Sequence, residues 1–296
     1  MPIDNVTADL LTEIYGNVPK ELADGIDKLC RQHEDARPPA SLWSQNDVVL
    51  ITYADQVRDD AITPLASLDQ FLLDHSLQSL ISCVHLLPFC PYTSDDGFSV
   101  VDYLAVDPDS GNWDDISKLG KSFDLMFDLV LNHVSQKHAW FQSYLRDDPA
   151  FADFFIDQDP AADLSQVVRP RSLPLLTEFE SASGTKHVWT TFSDDQVDLN
   201  YGNPRVMLNM LQTLVEYARR GARIIRLDAI AYLWKQPGTS CIHLPQTHAA
   251  VRLMRHVLDK TQPGTLVLTE TNVPHRENIS YFGSGHDLSL IHISEP

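Results

Sequence analysis

Five short apolar runs, rich in β-branched residues, constrain this chain more than any other feature. They begin at Val48 (VVLITY), Ile81 (ISCVHLL), Leu125 (LMFDLVL), Arg223 (RIIRLDA) and Leu266 (LVLTE). Amphipathic segments at helical spacing separate most of them. Strand, helix and strand repeating in this way argue for an α/β fold with a parallel sheet buried on both faces. The clearest helix starts at Asn203-Pro204, a cap residue followed by proline at the first helical position. Val206, Met207, Met210, Leu211, Leu214 and Ala218 then form one apolar stripe, Arg219 and Arg220 suit the negative end of the helix dipole, and Gly221 stops the helix.

The spacing of the runs sets the domain plan. The interval from Leu125 to Arg223 is more than twice any other, and the excess matches an irregular, Asp- and Pro-rich stretch. That stretch, 134–190, reads as a subdomain inserted after the third strand. Residues 1–47 read as a helical preface closed by Arg37-Pro38-Pro39, 48–133 as strands one to three, and 191–287 as the continuation through a fifth strand. A length of 296 residues fits two domains or one large α/β barrel with an insertion.

Composition removes several classes. With 43% hydrophobic residues the chain can build a sizeable core. Lys plus Arg is 22 against 41 Asp plus Glu, a net charge of −19 that repels phosphate backbones and anionic membranes. No nucleic-acid partner is expected. No apolar run approaches the roughly 18 residues of a spanning helix, and the start carries no secretory signal pattern. A soluble cytoplasmic protein is the expectation. Cys30, Cys83, Cys90 and Cys241 form no C-x-x-C pair, and Cys83 reads as a buried reduced residue. His243 and His248 have Pro245 between them and do not share a helical face as metal ligands would, so neither a metal nor a cofactor is expected.

Chemistry gathers where the runs end. Side chains alternate along a strand, so Arg226 and Asp228 share a side, as do Leu268 and Glu270. Each carboxylate lies at the end of an apolar strand, where α/β barrels assemble their sites. Asp128 lies inside its run and needs a partner, because burying an unpaired charge is expensive. One buried ion pair could be purely structural, but three polar strand ends in one sheet tilt the balance towards a site.

These residues carry a family resemblance. Asp128-Leu129-Val130-Leu131-Asn132-His133, Arg226-Leu227-Asp228-Ala229 and Glu270 resemble three of the four hallmark segments of glycoside hydrolase family 13, the α-amylase superfamily. Gln196-Val197-Asp198-Leu199-Asn200 resembles its segment at the exit of the domain inserted after strand three. Leu87-Pro88-Phe89, Asp95-Asp96-Gly97-Phe98, Arg169-Pro170-Arg171, the stretch from Trp189 to Asn200 and Gly238-Thr239-Ser240-Cys241 resemble the sucrose phosphorylase subfamily. The stretch from Thr269 to Gly283 is most similar to its glucosylglycerate phosphorylase-like branch.

The resemblance implies a (β/α)8 TIM barrel and retaining double displacement at an α-glucosidic bond. Asp228 would be the nucleophile and Glu270 the acid and base, with Arg226 keeping Asp228 ionised. Asp95, Phe98, His133 and Gln196 would hold the glucosyl ring, and Tyr232 would lie on the acceptor side. Arg169 and Arg171 would bind inorganic phosphate, since guanidinium pairs bidentately with it. Each has a plain alternative: Phe98 as core, His133 as a strand-end histidine, Gln196 as a loop-capping amide, Asp95 as a turn former, and the two arginines in surface ion pairs. The partners implied are an α-glucoside and phosphate. Asn272 stands where sucrose-specific members carry histidine, which shifts the expected acceptor towards glycerate. A retaining α-glucosidase using water, and a silent fragment, stay open. The oligomeric state is not fixed by any of these residues.

The end of the chain departs from the pattern. Five of eight barrel strands are counted, and His286-Asp287 imitates the fourth hallmark segment in letters alone. The stretch 288–296 is expected to be foreign to the fold, with sheet edges left open near Val48 and near Leu266.

Overall fold

The computed structural model describes residues 3–32, 44–271, 274–281 and 290–291. Arg37-Pro38-Pro39, Asn272 and His286-Asp287 lie outside them. Two helices come first, α1 (Asn5–Tyr15) and α2 (Lys20–Arg31). The chain then runs through β1 (Val49–Thr52), α3 (Pro64–Asp74), β2 (Cys83–Leu86), α4 (Trp113–Leu119) and β3 (Asp124–Val130). An excursion follows, with β4 (His133–Ser135), α5 (Ala139–Leu145), the hairpin β5 (Leu176–Ser181) and β6 (Gly184–Trp189), and β7 (Gln196–Asp198). The alternation resumes with α6 (Pro204–Arg219), β8 (Ala222–Asp228), α7 (Pro245–Thr261), β9 (Leu266–Thr269), the short α8 (His275–Asn278) and β10 (Leu290–Ile291).

All five expected apolar runs are strands of one parallel sheet, ordered β1-β2-β3-β8-β9-β10. Parallel pairing through intervening helices makes this an arc of the expected (β/α)8 barrel. Two faces result, with different tasks. Val84, Leu86, Leu125, Phe127, Leu129, Ile225, Leu227 and Val267 point outward into the main core beneath the helices. Cys83, Met126, Ile224, Leu266 and Leu268 form a separate apolar cluster on the inner face. Cys83 is buried there, as expected. The next inner layer is polar, and it is the floor of the site.

Burial on both faces does not extend to β1. Val49 is 41% and Ile51 57% exposed, because no strand lies on the free side of β1 among the described residues. The edge near Val48 is thus open, as expected. The edge near Leu266 is not: Leu290 and Ile291 run parallel to Val267 and Leu268. Two residues of the stretch expected to stand outside the fold therefore align with the sheet.

Local signals explain the helices around it. The Asn203 side chain accepts from the Arg205 N–H at 3.0 Å, Pro204 occupies the first turn, and Met207, Met210, Leu211 and Leu214 are buried on the sheet side. The Asp4 side chain caps α1 and also accepts from His256 and Lys260 on α7, at 3.1 and 2.9 Å. Within the excursion, β4 and β7 pair antiparallel, His133 opposite Asp198 and Ser135 opposite Gln196. Departure and return of the inserted stretch are thereby fastened beside the end of β3.

Candidate active site

Register places the charged residues. Asp128 pairs with Arg226 across β3 and β8, and Arg226 with Leu268 across β8 and β9. The Asp128 side chain is wholly buried and accepts from His85 Nε2 at 2.7 Å and from Arg226 at 2.5 Å. Its expected partner is therefore found, together with one that sequence reasoning missed. His85 sits in an apolar run with no polar neighbour to flag it. Arg226 also reaches Asp228 at 3.3 Å and Glu270 at 3.7 Å. One guanidinium thus serves three carboxylates, each from a different strand or strand end.

Arg226 shares its charge between Asp228 and two other carboxylates. Burial raises the Asp228 carboxyl well above its ordinary range, Glu270 adds to this, and Arg226 opposes it. Arg226 lies closer to Asp128 than to Asp228. Glu270 is placed by the turn after β8. Ala229 adopts a left-handed φ of 53° and its N–H donates to Glu270 Oε2 at 3.1 Å. A non-glycine residue in that region costs about 1–3 kcal/mol and persists only where its surroundings enforce it.

The second half of the site is a turn. Asp95, Asp96 and Gly97 are consecutive residues at φ 55°, 48° and 106°. A Cβ on Gly97 would fall 2.7 Å from the Pro88 carbonyl oxygen, so only glycine fits. The turn delivers Asp95 and Phe98 to the floor. Gln196 donates to Asp95 Oδ2 at 2.9 Å, and His133 Nε2 lies 2.9 Å from the Phe98 carbonyl. Gln196 approaches His133 at 3.1 Å, and the Phe98 ring lies 5.8 Å from the Arg226 guanidinium. Burial drives the His133 pKa down to about 4 against the pull of Asp198, so the ring is neutral and donates to the carbonyl. Asp95, Phe98, His133 and Gln196 are one cluster.

Tyr232 lies beyond it. Its pKa is raised, first by burial and then by Glu270. Phe192 joins the two regions, with ring centroids 5.3 Å from Tyr232 and 5.1 Å from His133. Phe192 was missed as an individual residue, although it lies within the stretch from Trp189 to Asn200 that carried the resemblance. Beneath the cluster, the Lys235 ammonium lies 2.7 Å from Asp198, with side chains 2% and 0% exposed. Asp198 also accepts from the Asn132 amide and from Thr191 through its N–H and hydroxyl. Burial pulls the Lys235 pKa down and Asp198 resists. Nothing in the sequence around Lys235 signals this.

Arg169 and Arg171 are exposed. Arg169 donates to the Leu173 carbonyl at 2.9 Å. Their loop is nevertheless tied to the segment that follows Tyr232: the Val168 N–H donates to the Ser240 carbonyl, and Leu175, Trp189 and Cys241 pack together.

Carboxylates and an arginine at the C-terminal ends of adjacent parallel strands, with a polar ring-sized cluster beside them, define an α/β-barrel enzyme domain. The chain belongs to the alpha-amylase family, whose catalytic-domain model matches residues 77–292. It is 51% identical over 285 residues to the glucosylglycerate phosphorylase of Escherichia coli (strain K12), covering 94% of this chain and 50% of that protein. It is 34% identical over 251 residues to the sucrose phosphorylase of Agrobacterium vitis, covering 79% and 49%. The crystal structure of sucrose 6F-phosphate phosphorylase from Thermoanaerobacter thermosaccharolyticum superposes with a TM-score of 0.70 at 29% identity, covering 81% of this chain and 50% of that one. The subfamily resemblance read from the sequence is borne out. The chain spans about half the length of these curated relatives.

Proposed function

We propose that this site belongs to a retaining α-glucoside phosphorylase that passes a glucosyl unit to inorganic phosphate, with glycerate as the partner of glucose in the glucoside. The convergence of Asp228 and Glu270 on Arg226, beside the Asp95–Phe98–His133–Gln196 cluster, carries the reading. Asp228 attacks the anomeric carbon as the glycosidic C–O bond breaks, and Glu270 gives its proton to the leaving oxygen. Phosphate then attacks the same carbon, its proton goes to Glu270, and Asp228 leaves as carboxylate. Two inversions retain the configuration and yield α-glucose 1-phosphate. The two carboxyls suit unequal roles: Arg226 lies 3.3 Å from Asp228 and 3.7 Å from Glu270, so its charge favours the nearer carboxyl as the nucleophile.

His133, neutral and buried, can hold a sugar hydroxyl without adding charge, while Asp95 accepts from one. Phe98 offers a ring near the charge that develops at the anomeric carbon. Among the described residues no helix is long and apolar enough to cross a membrane. A cytoplasmic setting, where phosphate and small glucosides are dissolved, completes the proposal. The decisive assay, on the longest natural chain containing these residues, supplies glucosylglycerate with and without phosphate. Phosphate-dependent glucose 1-phosphate is the expected product. Equal release of free glucose without phosphate would make the enzyme a hydrolase.

The docked Arg169–Arg171 loop leads to a separate expectation. Arg169→Ala or Arg171→Ala should raise the phosphate KM by about 10- to 100-fold, the loss of one charge-assisted bond of about 1.5–3 kcal/mol. The glucoside KM and residual hydrolysis should change much less. Parallel losses in both reactions would assign the arginines to the fold of the loop.

A further inference from the structure

Asp195, immediately before Gln196, makes a set of contacts that the proposed chemistry does not use. Its Oδ2 accepts from Thr93 Oγ1 at 2.5 Å, from Ser94 Oγ at 2.5 Å and from Ser99 Oγ at 2.9 Å. Its backbone carbonyl lies 3.0 Å from Ser99 Oγ and accepts from the Gln136 N–H at 3.1 Å. Thr93 Oγ1 is also 2.5 Å from Ser135 Oγ, which completes a hydroxyl chain to β4. Thr93 and Ser94 precede the left-handed turn of Asp95, Asp96 and Gly97, and Ser99 follows Phe98. One carboxylate therefore grips both ends of the strained turn, while the next residue, Gln196, grips its centre through Asp95.

We propose that Asp195 is a positioning residue that holds the sugar-binding turn in register, acting on substrate only through Asp95 and Phe98. The proposal rests on the reading that those two residues contact the glucosyl ring. Consecutive left-handed residues do not keep their geometry by local preference, because each non-glycine one has a better conformation nearby. The Phe98 N–H to Asp95 carbonyl bond and the Thr93 N–H to Ser99 carbonyl bond close the turn from within. Three hydroxyls converging on one carboxylate fasten it from outside. Burial alone would raise the Asp195 carboxyl, yet the bonds from Ser94, Thr93, Ser99 and Gln136 hold it below its ordinary value. A charged acceptor is what they require.

Hydrogen exchange and kinetics test this together. In Asp195→Ala, the amides of Thr93 and Phe98 should exchange at least about tenfold faster, with β3 and β8 unchanged. In the longest natural chain, glucoside kcat/KM should fall by about 100-fold, as expected when a binding group is misplaced by about 1 Å. In an Asp95→Ala background the same change should cost clearly less than in the parent, since one of the two groups it positions is gone. Asp195→Asn, which keeps an acceptor oxygen but not its charge, should recover only part of the loss. Unchanged exchange in the turn, equal acceleration across β3 and β8, or a full loss in the Asp95→Ala background would each overturn the proposal. If the unsubstituted chain turns over no glucoside, the phosphorylase reading fails, and the exchange pattern alone decides the role of Asp195.

Discussion

Asp228→Asn is expected to lower glucosyl transfer by at least about a thousandfold, because in the proposed mechanism the amide cannot form the enzyme ester that both half-reactions share. The same variant should melt no lower than the parent, and its melting temperature should exceed the parent's at neutral pH. The sign follows from the raised pKa of Asp228. A carboxyl whose folded value lies above its unfolded value costs stability once pH passes the unfolded value, and the full cost is present above the folded value. A neutral amide of the same shape removes that cost. Initial rates of glucose 1-phosphate release and calorimetric melting, followed from pH 4 to 8, read both effects. Substantial turnover by the variant would remove Asp228 from the nucleophile's role. A melting temperature that fell at every pH would show that Arg226 holds Asp228 more firmly than burial opposes it.

Lys235→Met should be the most damaging substitution for stability, at about 3–5 kcal/mol, the range for breaking a buried ion pair on one side. Asp198 would remain with no exposed surface and with Asn132 and Thr191 as its donors, none of them charged. Adding Asp198→Asn should restore part of the loss, since the stranded charge is then gone, although the new amide matches the Thr191 donors imperfectly. Chemical denaturation of the parent and the two variants gives the comparison. If Lys235→Met alone lowers stability by less than about 1 kcal/mol, water reaches Asp198 and the pair is not sealed.

Elements with local causes were legible in the sequence. The helix from Pro204 carries its own cap, first-turn proline and stripe, and it forms as read. The strand ends bearing Asp128, Asp228 and Glu270 were visible because a charge in an apolar run is conspicuous. The cluster of Asp95, Phe98, His133 and Gln196 was reached through resemblance, since no local pattern joins residues so far apart. What escaped notice depends on tertiary contact alone. Lys235 meets Asn132 across 103 residues, His85 meets Asp128 across 43, and Asp195 meets Thr93 across 102. The left-handed Ala229 has no composition that announces it. β4 and β7 are three residues each, too short for an alternation to register. The exposure of Val49 and Ile51 escaped for the opposite reason: their run reads as buried on both faces, and only the position of β1 at the sheet edge shows otherwise.

The pairing of β4 with β7 has a consequence for descent. The chain leaves the barrel at Ser135 and comes back opposite it at Gln196, so the residues between form a closed cassette. Doubling the length of such a loop costs only about 0.6 kcal/mol in closure entropy. The β5–β6 hairpin and the Arg169–Arg171 loop lie inside the cassette, whereas His133 and Gln196 belong to its clasp. Duplication, trimming or replacement of the cassette can therefore change the Arg169–Arg171 loop while the clasp residues His133 and Gln196 are inherited intact. Lineages that share the clasp and differ in the cassette are what such a hinge of ancestry would produce.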